Sequence, residues 1–145
     1  MLENVSDIFF NYPMMISGRV KKAEYKKNMY DFRVEFGEDI QEMVDAVNAA
    51  DNKEEVACSI GTDFCDKVFA LYEKKGKVKG TKRAELNMFM ILYIFPAILL
   101  TGNESATLMC DKLRDAWNIK FGEKIDYTDY DTIYEGFREK IFGMF

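Results

Sequence analysis

A chain of 145 residues, 48% hydrophobic and 31% charged, is sized for one domain with its own core and is not composed like a disordered segment. Its net charge of -5 argues against general nucleic-acid binding. It contains no histidine, which excludes Ser-His-Asp and Cys-His triads, His-ligated zinc or haem, and Glu-x-x-His di-iron sites.

With only Pro13 and Pro96 to interrupt them, long helices are possible, and the apolar spacing is helical almost throughout. The first helix is expected over residues 2–11, with Leu2, Val5, Ile8 and Phe9 on one face. It ends near Tyr12, because Pro13 biases the residue before it away from helix. Glu3 and Asp7 stand where a secretory signal needs positive charge, and no small-residue cleavage motif follows. A non-secreted, cytoplasmic chain is therefore expected.

The second helix is expected from Ser17 or Gly18 to about Ala50. Tyr25, Met29, Phe32, Phe36, Ile40, Met43 and Val47 recur at steps of three or four, one stripe of an amphipathic helix. Gly37 interrupts the stripe's helix and costs about 1 kcal/mol against Ala, so a bend or split is expected there. The seam from Tyr25 to Val47 needs a partner helix, from the same chain or from a second copy as a homodimer.

Asp51 and Asn52 are candidate caps, and Glu54 or Glu55 completes a capping box. The third helix carries Val56, Ile60, Phe64, Val68 and Leu71 to about Lys75, with a candidate break at Gly61-Thr62. The run KKGKVKGTKR, residues 74–83, reads as a loop.

Next comes LNMFMILYIFPAILL, residues 86–100, apolar except for Asn87. A bilayer core about 30 Å thick needs roughly 20 apolar residues. The unbroken run from Met88 to Leu100 has 13 and contains Pro96, a further disruption expected to kink it. A helix apolar on all sides, over residues 84–100, belongs at the centre of a bundle. It should stop near Thr101-Gly102, where glycine can close it.

Thr101 or Asn103 is expected to cap the fifth helix, whose stripe is Ala106, Cys110, Leu113 and Trp117 and whose end is Phe121-Gly122. A sixth is expected after Thr128, with Tyr130, Tyr134, Phe137 and Ile141 on one face. The expected fold is all-α: a single domain, residues 1–145, forming a bundle of five to seven helices around a central apolar one.

No catalytic, cofactor or metal motif emerges. A P-loop fails because Gly76 and Gly80 are too close together and Thr81 stands where Lys is required. An EF-hand starting at Asp129 and Asp131 fails because Tyr134 replaces the required Gly and Lys140 the required Glu. Cys58, Cys65 and Cys110 have no CxxC pattern and read as reduced thiols, mostly in the core.

The charged surface offers candidate partner sites. Lys74, Lys75, Lys77, Lys79, Lys82 and Arg83 precede a helix N-terminus and could receive an anionic partner. A second basic cluster holds Arg19, Lys21, Lys22, Lys26 and Lys27. Glu35, Glu38, Asp39, Glu42 and Asp45 form an acidic strip, either a solvated face or a surface for a basic partner. Tyr12, Met14, Met15, Phe142, Met144 and Phe145 either dock onto the bundle or form an adhesive patch.

These features point to a non-catalytic cytosolic protein that binds another protein as a regulator, adaptor or inhibitor. A small inhibitor from a phage or mobile element is one such case. Neither direct nucleic-acid binding nor a membrane span is expected. The alternative is a small-molecule bundle with an apolar pocket near the Pro96 kink, lined by Phe89, Tyr93, Phe95 and Trp117.

Overall fold

The computed structural model describes residues 2–11, 22–74 and 83–122, and these are mostly helical. In chain order they are α1 (Val5–Asn11), α2 (Lys22–Ala49), α3 (Lys53–Lys74), α4 (Arg83–Phe89), a π-helical turn (Met90–Ile94), α5 (Phe95–Leu99) and α6 (Ala106–Phe121). The consecutive α4, π turn and α5 form one helical rod. The sixth expected helix, the basic loop between α3 and α4, and both terminal aromatic clusters lie outside the described residues.

The rod is the centre of the bundle. Every residue from Phe89 to Ile98 is buried. Among the described residues no helix is long and apolar enough to cross a membrane. Pro96 does its work here through what it lacks. In a regular α-helix its N–H would bond to the carbonyl of Leu92, and its ring would press on the same carbonyl. The rod widens into the π turn, where the N–H of Phe95 donates to the carbonyl of Met90, five residues back. The phenolic hydroxyl of Tyr25, on α2, donates to the Leu92 carbonyl at 2.6 Å. The donor that Pro96 removes is thus replaced from another helix.

The expected α2 stripe meets the rod at this point. Tyr25, Met29, Phe32, Phe36, Ile40, Met43 and Val47 are all buried. The Phe32 ring lies 5.6 Å from Tyr93 and 6.1 Å from Phe89, both edge-to-face, and Tyr25 lies 5.9 Å from Tyr93. Such pairs add to the burial term because ring edges and faces carry opposite partial charge. The seam therefore finds its partner within its own chain. None of the side chains from Tyr25 to Val47 in that stripe is left at the surface for a second copy.

The α2 and α3 helices are both unbroken, which corrects the expected split at Gly37 and break at Gly61-Thr62. The reasons differ. A Cβ on Gly61 would lie 3.0 Å from the Cα of Leu113 and 3.2 Å from the Lys112 carbonyl oxygen. Gly61 is where the backbones of α3 and α6 cross, and the missing side chain lets them close. A Cβ on Gly37 would meet nothing within 4 Å.

Polar groups tie the helix ends. Asn52 accepts from the Glu55 N–H at 3.2 Å and donates its side-chain amide to the Glu55 carboxylate at 2.9 Å, the expected capping box in side-chain form. Lys53 donates to the Asn48 and Ala50 carbonyls at the C-terminal end of α2. The rod ends at Gly102 and α6 at Gly122, both at positive φ, as expected. Asn103 holds the turn into α6 by accepting from the Ser105 N–H at 2.9 Å. Asn87, the one polar residue of the apolar stretch, accepts from the indole N–H of Trp117 at 2.6 Å. Arg83 donates to the carbonyl of Phe121, at the negative end of the α6 dipole.

The first expected outcome concerns the Leu92 carbonyl. Tyr25→Phe leaves a buried acceptor without this donor and should cost about 1–3 kcal/mol in urea unfolding. In a Pro96→Ala background, which restores a backbone N–H, the same substitution should cost less by about 1 kcal/mol, read as a double-mutant cycle.

The second contrasts the two glycines. Gly37→Ala should raise stability by about 1 kcal/mol, the helix-propensity difference. Gly61→Ala should lower it by about 1–3 kcal/mol, because backbone atoms of α6 must move. Equal effects at the two sites would contradict the close crossing at Gly61.

Candidate functional site

The acidic strip lies on the side of α2 turned away from its core seam. Glu35, Glu38, Glu42 and Asp45 are exposed and Asp39 is half-buried. Glu35, Glu38, Glu42 and Asp45 recur at steps of three or four, with Asp39 beside Glu38, and form one ridge along the helix.

The structure adds a groove that the strip alone does not reveal. Arg33, Gly37, Ile40 and Gln41 of α2 face Ala97, Leu100 and Thr101 at the end of the rod. Glu38, Glu42 and Asp45 complete the lining of a trough of about 630 Å³. Asp39 and Glu42 also border a second hollow of about 620 Å³ with Glu3 and Asn4. Glu42 thus stands between two depressions, with carboxylates on both sides.

One end of the trough is fixed by hydrogen bonds. The Asp45 carboxylate accepts from Gln41 at 2.9 Å and from Asn103 at 3.0 Å. One turn along α2, Asn48 accepts from the Ser105 hydroxyl at 2.9 Å. These contacts clamp α2 to the turn before α6, so Asp45 has a structural duty that spacing did not foretell. The carboxylates run along a ridge and do not converge on a point. Among the described residues, no group of three or more His, Cys, Asp or Glu side chains could hold a metal ion.

Of the basic candidates, Lys74 is exposed, while Lys75, Lys77, Lys79 and Lys82 lie outside the described residues. Arg83 is half-buried and engaged at the end of α6. In the second cluster Lys26 and Lys27 are exposed on the first turns of α2, and Arg19 and Lys21 lie outside the described residues.

The four aromatic pocket candidates are buried and packed on neighbours. Phe89 and Tyr93 stack face to face at 4.8 Å, and Trp117 lies 4.2 Å from Phe121. The Phe95 carbonyl accepts from the Cys110 thiol at 3.8 Å. Ring faces that would greet a ligand are in contact with other side chains.

The thiols divide by burial. Cys58 is exposed, whereas Cys65 and Cys110 are buried. Burial pushes the Cys65 thiol up to about 12; Asp66 raises it further and Lys120 lowers it. At neutral pH it is protonated and a poor nucleophile. Burial also raises the phenol of Tyr25, with Tyr93 adding to the effect. Tyr93 is pushed up to about 12 by burial, against a lowering hydrogen bond from Asn28 and with a raising contribution from Glu24.

The groove was missed because part of its wall, Ala97, Leu100 and Thr101, comes from the end of the rod. The available signal was Arg33, Gly37, Gln41 and Asp45 at four-residue spacing beside the acidic strip. Comparison with protein-family models, curated proteins and solved structures finds no match to this chain.

These shifts give a pH dependence with a definite sign. Unfolded, Cys65 releases its proton near its ordinary value of 9.0; folded, it keeps it to about 12. Across that window the unfolded state holds fewer protons, so stability falls as pH rises. Tyr25 and Tyr93 contribute with the same sign above their ordinary 10.0. Urea titrations from about pH 8 to 10 should show this loss, with Cys65→Ala flattening its first part. A thiol-reactive disulfide reagent should label Cys58 quickly and the other two only on unfolding.

Proposed function

We propose that this protein is a non-catalytic binding module and that the α2 ridge engages a basic surface on another protein. The observation that carries this reading is the alignment of Glu35, Glu38, Asp39, Glu42 and Asp45 beside a trough with an apolar floor of Ile40, Ala97 and Leu100. A single-sign ridge attracts an oppositely charged partner at a distance and sets its orientation. Of the apolar lining, half-buried Leu100 offers a docked partner area to cover.

The ridge is also pre-organised. The opposite face of α2 is locked into the core from Tyr25 to Val47, so little backbone freedom is lost on docking. The role that fits such a surface is that of a regulator, adaptor or inhibitor. A cytoplasmic setting suits three cysteines that remain free thiols.

The test compares three forms of the immobilised protein in native lysate at low salt. Wild type should retain basic proteins and release them as salt rises to about 0.5 M, where charges are screened within a few ångströms. The triple variant Glu35→Lys, Glu38→Lys, Glu42→Lys should lose them. A variant with Lys74, Lys75, Lys77, Lys79 and Lys82 changed to Ser should keep them. If the triple variant retains the same proteins as wild type, the ridge is not the binding surface.

A further inference from the structure

The outer face of α2 carries a second stripe besides the acidic one. Tyr30 and Val34 are large hydrophobic residues left 60% and 68% exposed. Gly37 and Gln41 continue their line at steps of three and four, so the four share a face. That line runs into the trough at Gly37. From Tyr30 to Gln41 it extends about 17 Å, three turns of helix.

Gly37 is anomalous at this place. A glycine inside a helix is unfavourable and needs a reason. Gly61 has one, since α6 occupies the space of its absent side chain. Gly37 has no positive φ to demand glycine, and among the described residues nothing lies within 4 Å of where its Cβ would be. Among the described residues, neither the backbone nor the packing explains it. Close approach by a second molecule would.

Building on the ridge reading above, we infer that the stripe Tyr30, Val34, Gly37 and Gln41 seats a basic amphipathic helix of the partner, whose backbone crosses α2 at Gly37. The crossing repeats the α3–α6 geometry at Gly61. Apolar side chains of the incoming helix cover Tyr30 and Val34, which are spaced as helix-in-groove anchors are. Its lysines or arginines reach Glu38 and Glu42 on the adjacent ridge. Charge selects this occupant: the trough presents the carboxylates of Glu38, Glu42 and Asp45 against the single guanidinium of Arg33.

The test uses a fluorescein-labelled synthetic helix of about 18 residues, long enough to form in water, with Leu and Ala on one face and Lys on the other. Its control is an isomer of the same composition with the faces scrambled. By anisotropy at low salt, wild type should prefer the amphipathic peptide about tenfold, a difference of about 1.4 kcal/mol. Gly37→Leu should remove this preference while its melting temperature stays at or above that of wild type, because the added side chain meets open space. Glu38→Gln with Glu42→Gln should weaken both peptides and flatten the salt dependence. If Gly37→Leu keeps the preference while the charge variant loses affinity, the helix seat is wrong and the ridge reading survives. If the charge variant binds both peptides as wild type does, the ridge reading itself fails. If wild type sediments as a dimer and Gly37→Leu as a monomer, the occupant is a second copy, and the basic partner is overturned.

Discussion

The hydrogen bond from the Tyr25 hydroxyl to the Leu92 carbonyl, at 2.6 Å, is the contact on which the arrangement of helices turns. A proline in a fully buried helix removes a donor where water cannot substitute for it. An unanswered carbonyl there would cost more than a hydrogen bond ordinarily contributes. The π turn moves the backbone past the proline ring, and the phenol supplies the donor. Satisfying that carbonyl fixes how α2 is rotated about its own axis against the rod. Once Tyr25 points inward, 3.6-residue periodicity places Phe32, Phe36 and Ile40 inward too. The same rotation turns Glu35, Glu38 and Glu42 outward, so the chemistry of the surface follows from a constraint in the core.

Several other polar groups within the bundle act in a similar way. Asn87 interrupts an otherwise apolar face, and the Trp117 indole meets it. Arg83 begins the rod and reaches the last carbonyl of α6. Asp45 and Asn48 bind the turn that precedes α6. Each contact joins residues about 30 to 60 positions apart in sequence and is specific in direction, which apolar burial is not. Hydrophobic area drives the helices together, and these bonds select one arrangement among the packings that area alone would allow.

This division explains what could be read from the residues. The seam from Tyr25 to Val47, the capping pair Asn52 and Glu55, and the stops at Gly102 and Gly122 are local in origin, and spacing revealed them. The interior position of residues 86–100 followed from their length, too short for a bilayer. The π turn did not follow, because a kink and a widened turn answer the same proline and the choice depends on what lies across from it. Gly37 and Gly61 carry the same local cost and read alike in sequence, yet α6 covers one and not the other. Arg83 looked like part of a basic surface because its acceptor is 38 residues away. The acidic strip was legible as a stripe, whereas the trough beside it needed Ala97, Leu100 and Thr101 brought alongside.

Residues that break a local rule are informative when the fold offers no compensation for them. Pro96 in a helix is answered by Tyr25, Asn87 in an apolar run by Trp117, and Gly61 in a helix by the backbone of α6. Those exceptions are explained by stability and leave nothing for function to account for. On α2 the pattern changes: Tyr30 and Val34 are hydrophobic yet exposed, and Gly37 is a helix-interior glycine facing open space. Ile119, on α6, is also exposed but has no such neighbours in line. Among the described residues nothing compensates these three exceptions on one face of one helix, beside a ridge of carboxylates, and the proposed partner helix would cover all three.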